Sequence, residues 1–274
     1  MKIISLQPSV SIILDRLGCL DSLVACTKYC LEAVPALRER SLPVVHDSWS
    51  TKAEELLPVR ADLVIASVPY RQESVTAILK SGCPVLALAP HTLEDIYQDI
   101  RLIALVVQAS VCGEALIAAM RASIQDVKTS TAAIPDKPLV YCEEWGKPLI
   151  QSQLWVKELV EAAGGIFLGE PGATVEAETV AAANPDVIVA AWCGAGDRVP
   201  LERIIVQRNW EVLRAVRNRR VYCIADELLN TPAPTLIDGL YALAQSIHPD
   251  HFGTIASTSG RQIDQFSADT SKLK

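Results

Sequence analysis

The chain has an excess of acidic residues, few aromatic residues and no long apolar run. Its 25 Lys and Arg residues are outnumbered by 32 Asp and Glu residues, and the net charge is −7. Proteins that bind nucleic acid usually carry a basic surface, so we expect no nucleic-acid partner. The richest apolar run, residues 102–107, is far shorter than the roughly 18 residues of a membrane-spanning helix. No transmembrane segment is therefore predicted.

The eight cysteines form no Cys-x-x-Cys pair, and most of them lie in apolar runs. This pattern is typical of buried free thiols in a reducing compartment. No export signal precedes the first predicted strand, because Lys2 leads directly into Ile3-Ile4-Ser5-Leu6. We therefore expect a cytoplasmic protein if Met1 is the native start, and a periplasmic or cell-surface protein if an export signal has been trimmed.

A long amphipathic helix is predicted near the middle of the chain. Half of the 274 residues are hydrophobic and 21% are charged, which is typical of a globular protein with a large core. Residues 113–128 contain no Pro and a single Gly at their start. Apolar and small side chains recur there at helical spacing, which predicts one buried face. The residues of that face are Leu116, Ala119, Met120, Ser123, Ile124 and Val127.

Two stretches on either side of this helix resemble each other without a gap, at an offset of 124 residues. Glu54 and Glu178 each open an amphipathic turn, and Asp62 and Asp186 each precede a short β-branched run. A second pair of buried-strand runs agrees with the first. The repeat predicts two similar α/β lobes. The expected division is an N-terminal lobe at 1–112, a connecting helix at 113–134, a C-terminal lobe at 135–250 and a mobile tail at 251–274.

Predicted strands and helices alternate in both halves, which favours parallel sheets with right-handed crossovers. Residues 31–50 contain two Pro and a polar run and are predicted to be irregular. Residues 139–142 are predicted as a strand, and 143–148 as the loop that follows it. Because ligands of such sheets bind at the carboxyl ends of the strands, the loops at these ends are the candidate site.

Aromatic residues make up only 5% of the chain, yet several of them fall on predicted strand-end loops. A core would hold aromatic side chains within helices and strands. Their presence in polar loops therefore favours a shared binding cleft over scattered packing anchors. The candidate ligand-binding residues are Tyr29, Trp49, Tyr70, Trp145 and Trp192, with Cys30 and His46 beside them.

The order and spacing of several short motifs resemble the class III substrate-binding proteins of ABC importers, which carry cobalamin, iron–siderophores or haem. The resemblance covers about residues 2–250, and a Glu-Trp pair followed by Trp-Val-x-Glu-Leu is more similar to the cobalamin branch than to the siderophore branch. Its elements are Ile3-Ile-Ser-Leu-Gln-Pro-Ser-Val10, Tyr29-Cys30, Glu54 with Asp62-Leu-Val64, Glu144-Trp145, Trp155-Val-Lys-Glu-Leu-Val-Glu-Ala-Ala-Gly-Gly165, Glu178 with Pro185-Asp186-Val-Ile188, Asp238-Gly-Leu240 and His248-Pro249.

The resemblance implies a non-catalytic binding protein with two Rossmann-like lobes, a rigid connecting helix and a bulky ligand between the lobes. Cobalamin or a related corrinoid is the expected ligand, and haem or a ferric siderophore is the alternative. The implied partners are this small molecule and an ABC permease, and we expect a monomer. By position, Glu54 and Glu178 are the acids expected to dock against arginines of the permease. The alternative is that each is a helix-start acid stabilised by the helix dipole.

Two features depart from the family pattern. No export signal is recognisable, which favours a homologue that stays inside the cell and binds a corrinoid without an importer. His46-Asp47 stands where Gly is expected before the first docking Glu. Because a neutral imidazole binds cobalt and iron well, one hypothesis is that His46 takes an axial position on the metal of the ligand. A solvated loop histidine is the alternative.

A cytoplasmic nucleotide- or metal-dependent enzyme on the same lobes is the alternative from another class. The loop 192–197 has two Gly residues like a phosphate-binding loop but lacks a third Gly and a Walker Lys. Glu143 and Glu144 could act as paired acids, although neighbours on a strand end point apart.

Cysteine and histidine side chains offer two further candidate sites. Cys30 or Cys193 would need a lowered pKa to act as a nucleophile. His248 and His251 have no third ligand at helical spacing. We therefore predict a binding protein and not an enzyme.

Overall fold

The computed structural model describes residues 1–263. These residues divide into two compact units, Met1–Met120 with Pro232–Pro234, and Arg121–Thr231 with the residues from Thr235 onward. We call them the N-terminal and C-terminal units. The first passage of the chain from one to the other lies within a single long helix, α6 (Ser110–Ala132).

The N-terminal unit is built on a parallel sheet of five strands. These strands are β1 (Ile3–Ser5), β2 (Leu23–Thr27), β3 (Val44–Val45), β4 (Leu63–Ala66) and β5 (Val85–Ala87). Their order in the sheet is β3-β2-β1-β4-β5, and each neighbouring pair is parallel. The strand order reverses at β1, so the carboxyl ends of β1 and its two neighbours are where such a sheet holds ligands.

Short helices connect these strands. They are α1 (Pro8–Arg16), α2 (Lys28–Ala33), α3 (Ala53–Leu56), α4 (Gln72–Leu79) and α5 (Leu93–Val106), with 3₁₀ turns at Leu20–Ser22, Pro35–Arg40 and Leu57–Val59. The prediction that residues 31–50 are irregular was wrong in part, because this stretch holds a 3₁₀ turn and β3. Strand β3 has only two residues and depends on pairing with β2, so no local pattern marks it.

The sheet of the C-terminal unit is mixed. Its strands are β6 (Leu139–Gly146), β7 (Leu149–Gln151), β8 (Ile166–Phe167), β9 (Val187–Ala190), β10 (Val221–Ile224) and β11 (Gly260–Gln262). The order is β11-β10-β9-β6-β7, and β8 also pairs with β6. Strands β6, β8, β9 and β10 are parallel, whereas β7 and β11 pair in the antiparallel sense.

Two sequence-based expectations for this sheet were wrong. Residues 143–146 are not a loop, because β6 continues through Gly146 and forms a hairpin with β7. The prediction of a mobile tail does not hold for Gly260–Gln262, which pairs with β10, or for Ile263, which is buried. Strands β7 and β11 form by pairing with a neighbouring strand and carry no clear sequence pattern of their own. The rest of the expected tail, residues 264–274, lies outside the described residues.

Helix α6 carries the predicted buried face with a different set of residues. Its 23 residues give a length of about 34 Å at 1.5 Å per residue. The buried apolar side chains are Ile117, Met120, Ile124 and Val127. Leu116 is only partly buried and Ala119 is exposed, so the stripe passes through Ile117 instead. The remaining helices are α7 (Leu154–Ala162), α8 (Ala177–Ala183), α9 (Leu201–Gln207), α10 (Arg214–Arg217), α11 (Leu236–Ile247) and α12 (Pro249–Phe252), with a 3₁₀ turn at Asp226–Leu228.

The internal repeat has a structural counterpart at its two aspartates. Asp62 accepts a hydrogen bond from the backbone N–H of Lys2 at 2.7 Å and donates its own N–H to the carbonyl of Lys2 at 2.8 Å. Asp186 makes the same two bonds with Leu139, at 2.9 and 2.8 Å. Each aspartate thus ties the strand after it to the first strand of its unit. The predicted α/β fold of two lobes with parallel sheets is confirmed, and the predicted lobe boundaries and ligand cleft stay predictions.

Within residues 1–263, no helix combines the length and the apolar character needed to cross a membrane. All eight cysteines lie in this part of the chain and are free thiols. Four of them, Cys26, Cys30, Cys142 and Cys223, are buried, and Cys112 and Cys193 are exposed.

Candidate ligand-binding site

Trp145 and Trp192 line a common pocket of about 520 Å³ in the C-terminal unit, which we call the tryptophan pocket. Trp145 lies near the end of β6, and Trp192 follows the end of β9. Helix α9 and the proline before it complete the lining with residues at helical spacing, namely Pro200, Arg203, Ile204 and Gln207. The structure therefore brings together two of the five aromatic residues selected from the sequence.

The indole of Trp145 is held at the β6–β7 hairpin. Its Nε1 donates a hydrogen bond to the backbone carbonyl of Lys147 at 3.0 Å. The residue is nevertheless 44% exposed. A large aromatic face that is fixed in orientation and open to solvent is suited to contact a ligand.

Glu143 lies behind the lining of the tryptophan pocket, where it binds the lining residues Trp192 and Arg208. The residue is only 1% exposed. Its Oε1 accepts hydrogen bonds from Trp192 Nε1 at 2.7 Å and from Arg208 Nη2 at 2.9 Å. Its Oε2 accepts from Tyr141 Oη at 2.9 Å and from Arg208 Nη1 at 2.7 Å. A carboxylate has about four lone-pair sites, so this one is fully satisfied. Glu143 is therefore a fixed structural acceptor rather than one of two paired acids.

Arg208 is also fixed by several contacts. In addition to Glu143, its guanidinium donates to the carbonyl of Gly146 at 3.2 Å and lies 4.8 Å from the centre of the Trp210 ring. Trp210 in turn makes an edge-to-face contact with Tyr141, with ring centres 5.9 Å apart. Burial, and then the nearby Glu143 charge, raise the pKa of Tyr141 above its ordinary value, so the phenol stays protonated as a donor. The site is thus preorganised before any ligand arrives.

Gly146 allows Trp192 to lie against the hairpin. A Cβ atom at position 146 would overlap the Cζ2 atom of the Trp192 ring. Only glycine therefore permits this close approach. The Trp192 side chain is held at its Nε1 atom by Glu143, and its six-membered ring lies against Gly146.

The loop after β9 does not have a free phosphate-binding nest. The Oδ2 and Oδ1 atoms of Asp226 accept hydrogen bonds from the backbone N–H groups of Gly194 and Gly196, at 2.7 and 2.8 Å. These are the amides that a phosphate group would need, so an internal carboxylate already occupies the anion position. The hypothesis of a nucleotide-binding loop is wrong for this reason.

Cys193 does not have the environment of a nucleophile. Although the residue is exposed as a whole, desolvation of its sulfur atom, followed by the charges of Glu144 and Asp226, raises the pKa of the thiol to about 12. Burial also raises the pKa of Glu144, whose Oε2 accepts a hydrogen bond from Gln153 at 2.7 Å. The Cys193 thiol is therefore not poised for nucleophilic chemistry near neutral pH.

Tyr29 and His46 line a smaller pocket of about 230 Å³ in the N-terminal unit, which we call the His46 pocket. The Nδ1 atom of His46 lies 2.8 Å from both carboxylate oxygens of Glu55, and its backbone N–H donates to Glu55 at 2.9 Å. Burial acts to raise the pKa of Glu55, but these hydrogen bonds outweigh it and the pKa is lowered. Among residues 1–263, the Nε2 atom of His46 has no hydrogen-bond partner.

Trp49 lines a third pocket, of about 410 Å³, together with Glu54 and Arg71. The guanidinium of Arg71 lies 5.6 Å from the centre of the Trp49 ring, and Trp49 is 47% exposed. Trp49 and the pair Tyr29 and His46 thus lie in different pockets of one unit, although Ser50 contributes to both.

Tyr70 and Cys30 line none of these three pockets. The hydroxyl of Tyr70 donates to the carbonyl of Leu88 at 3.0 Å, and its ring packs against the core of the N-terminal unit. Cys30 is fully buried, and its thiol accepts a hydrogen bond from Thr27 Oγ1 at 3.2 Å. Burial acts to raise the pKa of Cys30 and hydrogen bonds from neighbouring side chains lower it against that effect, but the thiol is fully buried and cannot contact a ligand. Both residues therefore serve packing in this structure.

Glu54 and Glu178 occupy equivalent places in the two units. Each is the second residue of a short helix, α3 and α8 respectively, and each is exposed. Within residues 1–263 neither side chain makes an ion pair or a hydrogen bond. Their free carboxylates fit a docking role, which stays a prediction.

The described residues offer no metal centre of their own. No group of three or more His, Cys, Asp or Glu side chains within residues 1–263 is arranged to hold a metal ion. His248 is buried, its Nε2 lies 3.4 Å from the carbonyl of Gly164, and its ring packs edge-to-face on His251. Burial lowers the pKa of His248, which is typical of a core histidine.

The sequence profile of the periplasmic binding protein family matches residues 3–228. The chain belongs to this family. It is accordingly a binding protein and not an enzyme, and the resemblance drawn from its motifs is confirmed.

Three known proteins are similar to this chain over most of its length. A curated substrate-binding lipoprotein of an ABC transporter from Bacillus subtilis is 25% identical over 272 residues, which are 92% of this chain and 81% of the relative. Among solved structures, a periplasmic haem-binding protein from Pseudomonas aeruginosa superposes with a TM-score of 0.84 at 21% identity, covering 97% of this chain and 99% of its own. The periplasmic vitamin B12-binding protein of Vibrio cholerae gives a TM-score of 0.71 at 24% identity, covering 90% and 96%. At these identities the two structures show a common fold.

Proposed function

We propose that this protein captures a bulky tetrapyrrole, in the first place cobalamin or a related corrinoid, for an ABC importer. The observation that carries the proposal is the tryptophan pocket, in which Trp145 and Trp192 present aromatic surface that is fixed before binding. A flat macrocycle offers a large apolar face, and aromatic side chains bury such a face with little loss of conformational freedom.

The relatives support this proposal at two points. The Bacillus subtilis relative is named a substrate-binding lipoprotein of an ABC transporter, and the Vibrio cholerae structure is that of a vitamin B12-binding protein. An importer's binding protein meets its ligand outside the cytoplasmic membrane. We therefore propose that this protein also works there, with an ABC permease as its partner.

His46 is the side chain that we propose as an axial ligand to the metal of the bound tetrapyrrole. Its Nδ1 faces the Glu55 carboxylate at 2.8 Å. Histidines that bind metals commonly donate one ring N–H to a carboxylate, which orients the ring and makes the other nitrogen a better ligand. The Nε2 atom, which has no partner among the described residues, is the nitrogen in question.

Haem is the second candidate ligand, and one observation favours it. The phenol of Tyr29 lies in the same pocket as the imidazole of His46, and both side chain types serve as axial ligands to haem iron. The haem-binding protein of Pseudomonas aeruginosa shares the fold of this chain over most of its length.

Visible spectroscopy separates these candidates. Titration of the protein with aquocobalamin, haemin and a ferric siderophore should give saturable binding of one of the tetrapyrroles. Aquocobalamin should then show the band shift of a nitrogen ligand, which His46→Ala removes and the matched exposed variant His91→Ala keeps. If haemin binds instead, a shift of the haemin bands that persists in His46→Ala and disappears in Tyr29→Phe would favour haem with a phenolate ligand. Failure of every tetrapyrrole to bind would overturn the proposed function.

A further inference from the structure

The tryptophan pocket has an unusual charge for this protein. Its lining includes three cationic residues, Lys147, Arg203 and Arg208. Within residues 1–263, no Asp or Glu contributes to this lining. The chain as a whole has a net charge of −7. A local positive field on an acidic protein raises the concentration of anions where it occurs.

Only one of the three cations is neutralised. Arg208 is paired with the buried Glu143 through hydrogen bonds of 2.7 and 2.9 Å. Lys147 and Arg203 are both exposed, and within residues 1–263 neither side chain has a hydrogen bond or an ion pair. Two positive charges at the mouth of the pocket are therefore available to a ligand.

Three carboxylates near the pocket are already committed to other partners. Glu143 uses both oxygens on Trp192, Tyr141 and Arg208. Asp226 is bound to the amides of the loop 192–197, and Glu144 accepts from Gln153. No rotation of these side chains could neutralise Lys147 or Arg203 without breaking an existing bond.

We infer that the tryptophan pocket binds an acidic group, a carboxylate or a phosphate, that is attached to an aromatic or macrocyclic ring, with Lys147 and Arg203 as its partners. The ring lies against Trp145 and Trp192, and the acid at its edge meets the two cations. Arg203 can bind such a group through two parallel N–H donors, and Lys147 adds a point charge. The inference rests on the proposed function for the identity of the natural ligand, whereas the chemistry of the pocket stands without it.

A set of small probes tests the pocket without any tetrapyrrole. The probes are 2-naphthoate, 2-naphthyl phosphate, the uncharged 2-naphthamide and inorganic phosphate. The readout is the indole N–H signals of Trp145 and Trp192 in nitrogen–proton correlation spectra, assigned with single Trp→Phe variants. The two acidic naphthyl probes should shift these signals and bind roughly three- to ten-fold more tightly than the amide, with a preference that weakens as salt is raised. The difference in affinity between 2-naphthoate and 2-naphthyl phosphate identifies which acidic group the pocket prefers.

Variants then assign the preference to the two cations. The double change Lys147→Gln with Arg203→Gln should bring the acidic probes to the affinity of the amide. The control Arg217→Gln removes one exposed positive charge from α10, outside the pocket lining, and should leave the preference intact. Equal affinity of acid and amide, or a preference that survives the double change, would overturn the inference. Shifts with inorganic phosphate as strong as those with the naphthyl acids would also overturn it, because the ring would then contribute nothing.

Matched pairs of tetrapyrroles extend the test to the proposed ligand class. Haemin has two carboxylates that its dimethyl ester lacks, and cobalamin has neutral amides where its monocarboxylic acid derivative has one acid. Wild-type protein should favour the acidic member of whichever pair binds, and the double variant should lose that preference. If neither pair binds while the naphthyl acids do, the proposed function fails and the inference stands. If a pair binds without any preference for the acid, the proposed function stands and the inference fails.

Discussion

The indole N–H of Trp192 donates a hydrogen bond of 2.7 Å to the Oε1 atom of Glu143. The same carboxylate forms an ion pair with Arg208 in which the Glu143 side chain is 2% exposed and the Arg208 side chain 10%. One wall of the tryptophan pocket is thus anchored to a buried ion pair. Perturbing that pair should therefore affect both the stability of the unit and the shape of the pocket.

Glu143→Gln should lower the free energy of unfolding by about 3–5 kcal/mol, because it leaves the buried Arg208 charge without its partner. Denaturant unfolding followed by circular dichroism measures this loss. The matched change Glu161→Gln removes an exposed acid of α7 and should cost less than about 0.5 kcal/mol. Equal stability of the two variants would contradict the role assigned to Glu143.

Trp145→Ala should weaken binding of the tetrapyrrole that the spectra identify by about 1–3 kcal/mol, since a large apolar contact is lost. The fold should be unaffected because the side chain is half exposed. Trp145→Phe keeps an aromatic face and should lose much less. Isothermal titration of the three proteins gives the comparison, and identical affinities would remove Trp145 from the site.

Arg60→Asn should stabilise the protein by about 0.5–1 kcal/mol. Arg60 has a positive φ of 50°, and the equivalent residue of the repeat, Asn184, has a φ of 49°. Asparagine tolerates this conformation better than arginine does. The reverse change, Asn184→Arg, should cost more than this gain, because Asn184 Oδ1 also accepts a hydrogen bond from the N–H of Arg214 at 2.8 Å. Thermal unfolding of both variants tests the expected signs, and a lower melting temperature for Arg60→Asn would refute the argument.

Asp99 should make the protein less stable as the pH rises. Burial, and then the Asp95 charge, raise the pKa of Asp99 to about 7, against about 4 in the unfolded chain. Below about pH 4 the group is protonated in both states and has no effect on stability. Between about pH 4 and 7 only the unfolded state releases the proton, so stability falls over this range and then levels.

Asp99→Asn removes this loss. The variant should match wild type at pH 4 and exceed its unfolding free energy by about 1–3 kcal/mol at pH 8. Asp126→Asn, on the exposed face of α6, should show no such pH dependence. A difference between Asp99→Asn and wild type that does not change between pH 4 and 8 would show that the carboxyl is not perturbed.

Reversal of both docking candidates, Glu54→Lys with Glu178→Lys, should abolish ligand uptake by cells and leave ligand affinity unchanged. Loss of one partner of an interface charge pair costs about 2–5 kcal/mol, and here both would be lost. Because both side chains are exposed and unpaired within residues 1–263, the fold should tolerate the changes. Uptake at the wild-type rate would exclude a docking role for this pair.

Several features of this protein were accessible from the sequence alone. The repeat of Asp62 and Asp186 predicted two similar lobes, and each aspartate makes the same pair of backbone bonds in its unit. The helical spacing of residues 113–128 predicted helix α6. These are local regularities, and local regularities determine periodicity, helix ends and the faces that will be buried.

The organisation of the candidate site was decided only by the tertiary structure. Trp192 and Arg208, the partners of Glu143, lie 49 and 65 residues further along the chain. The backbone N–H of Gly194 donates a hydrogen bond to Asp226, which lies 32 residues away. The pairing of Tyr141 with Glu143 on one strand face was the only nearby signal, and it became visible once β6 was known to continue through Gly146. A sequence pattern indicates that a charge will be buried, but its partner is selected by how distant segments meet. For that reason the same six-residue loop that suggested a phosphate site is closed by a carboxylate of the protein itself.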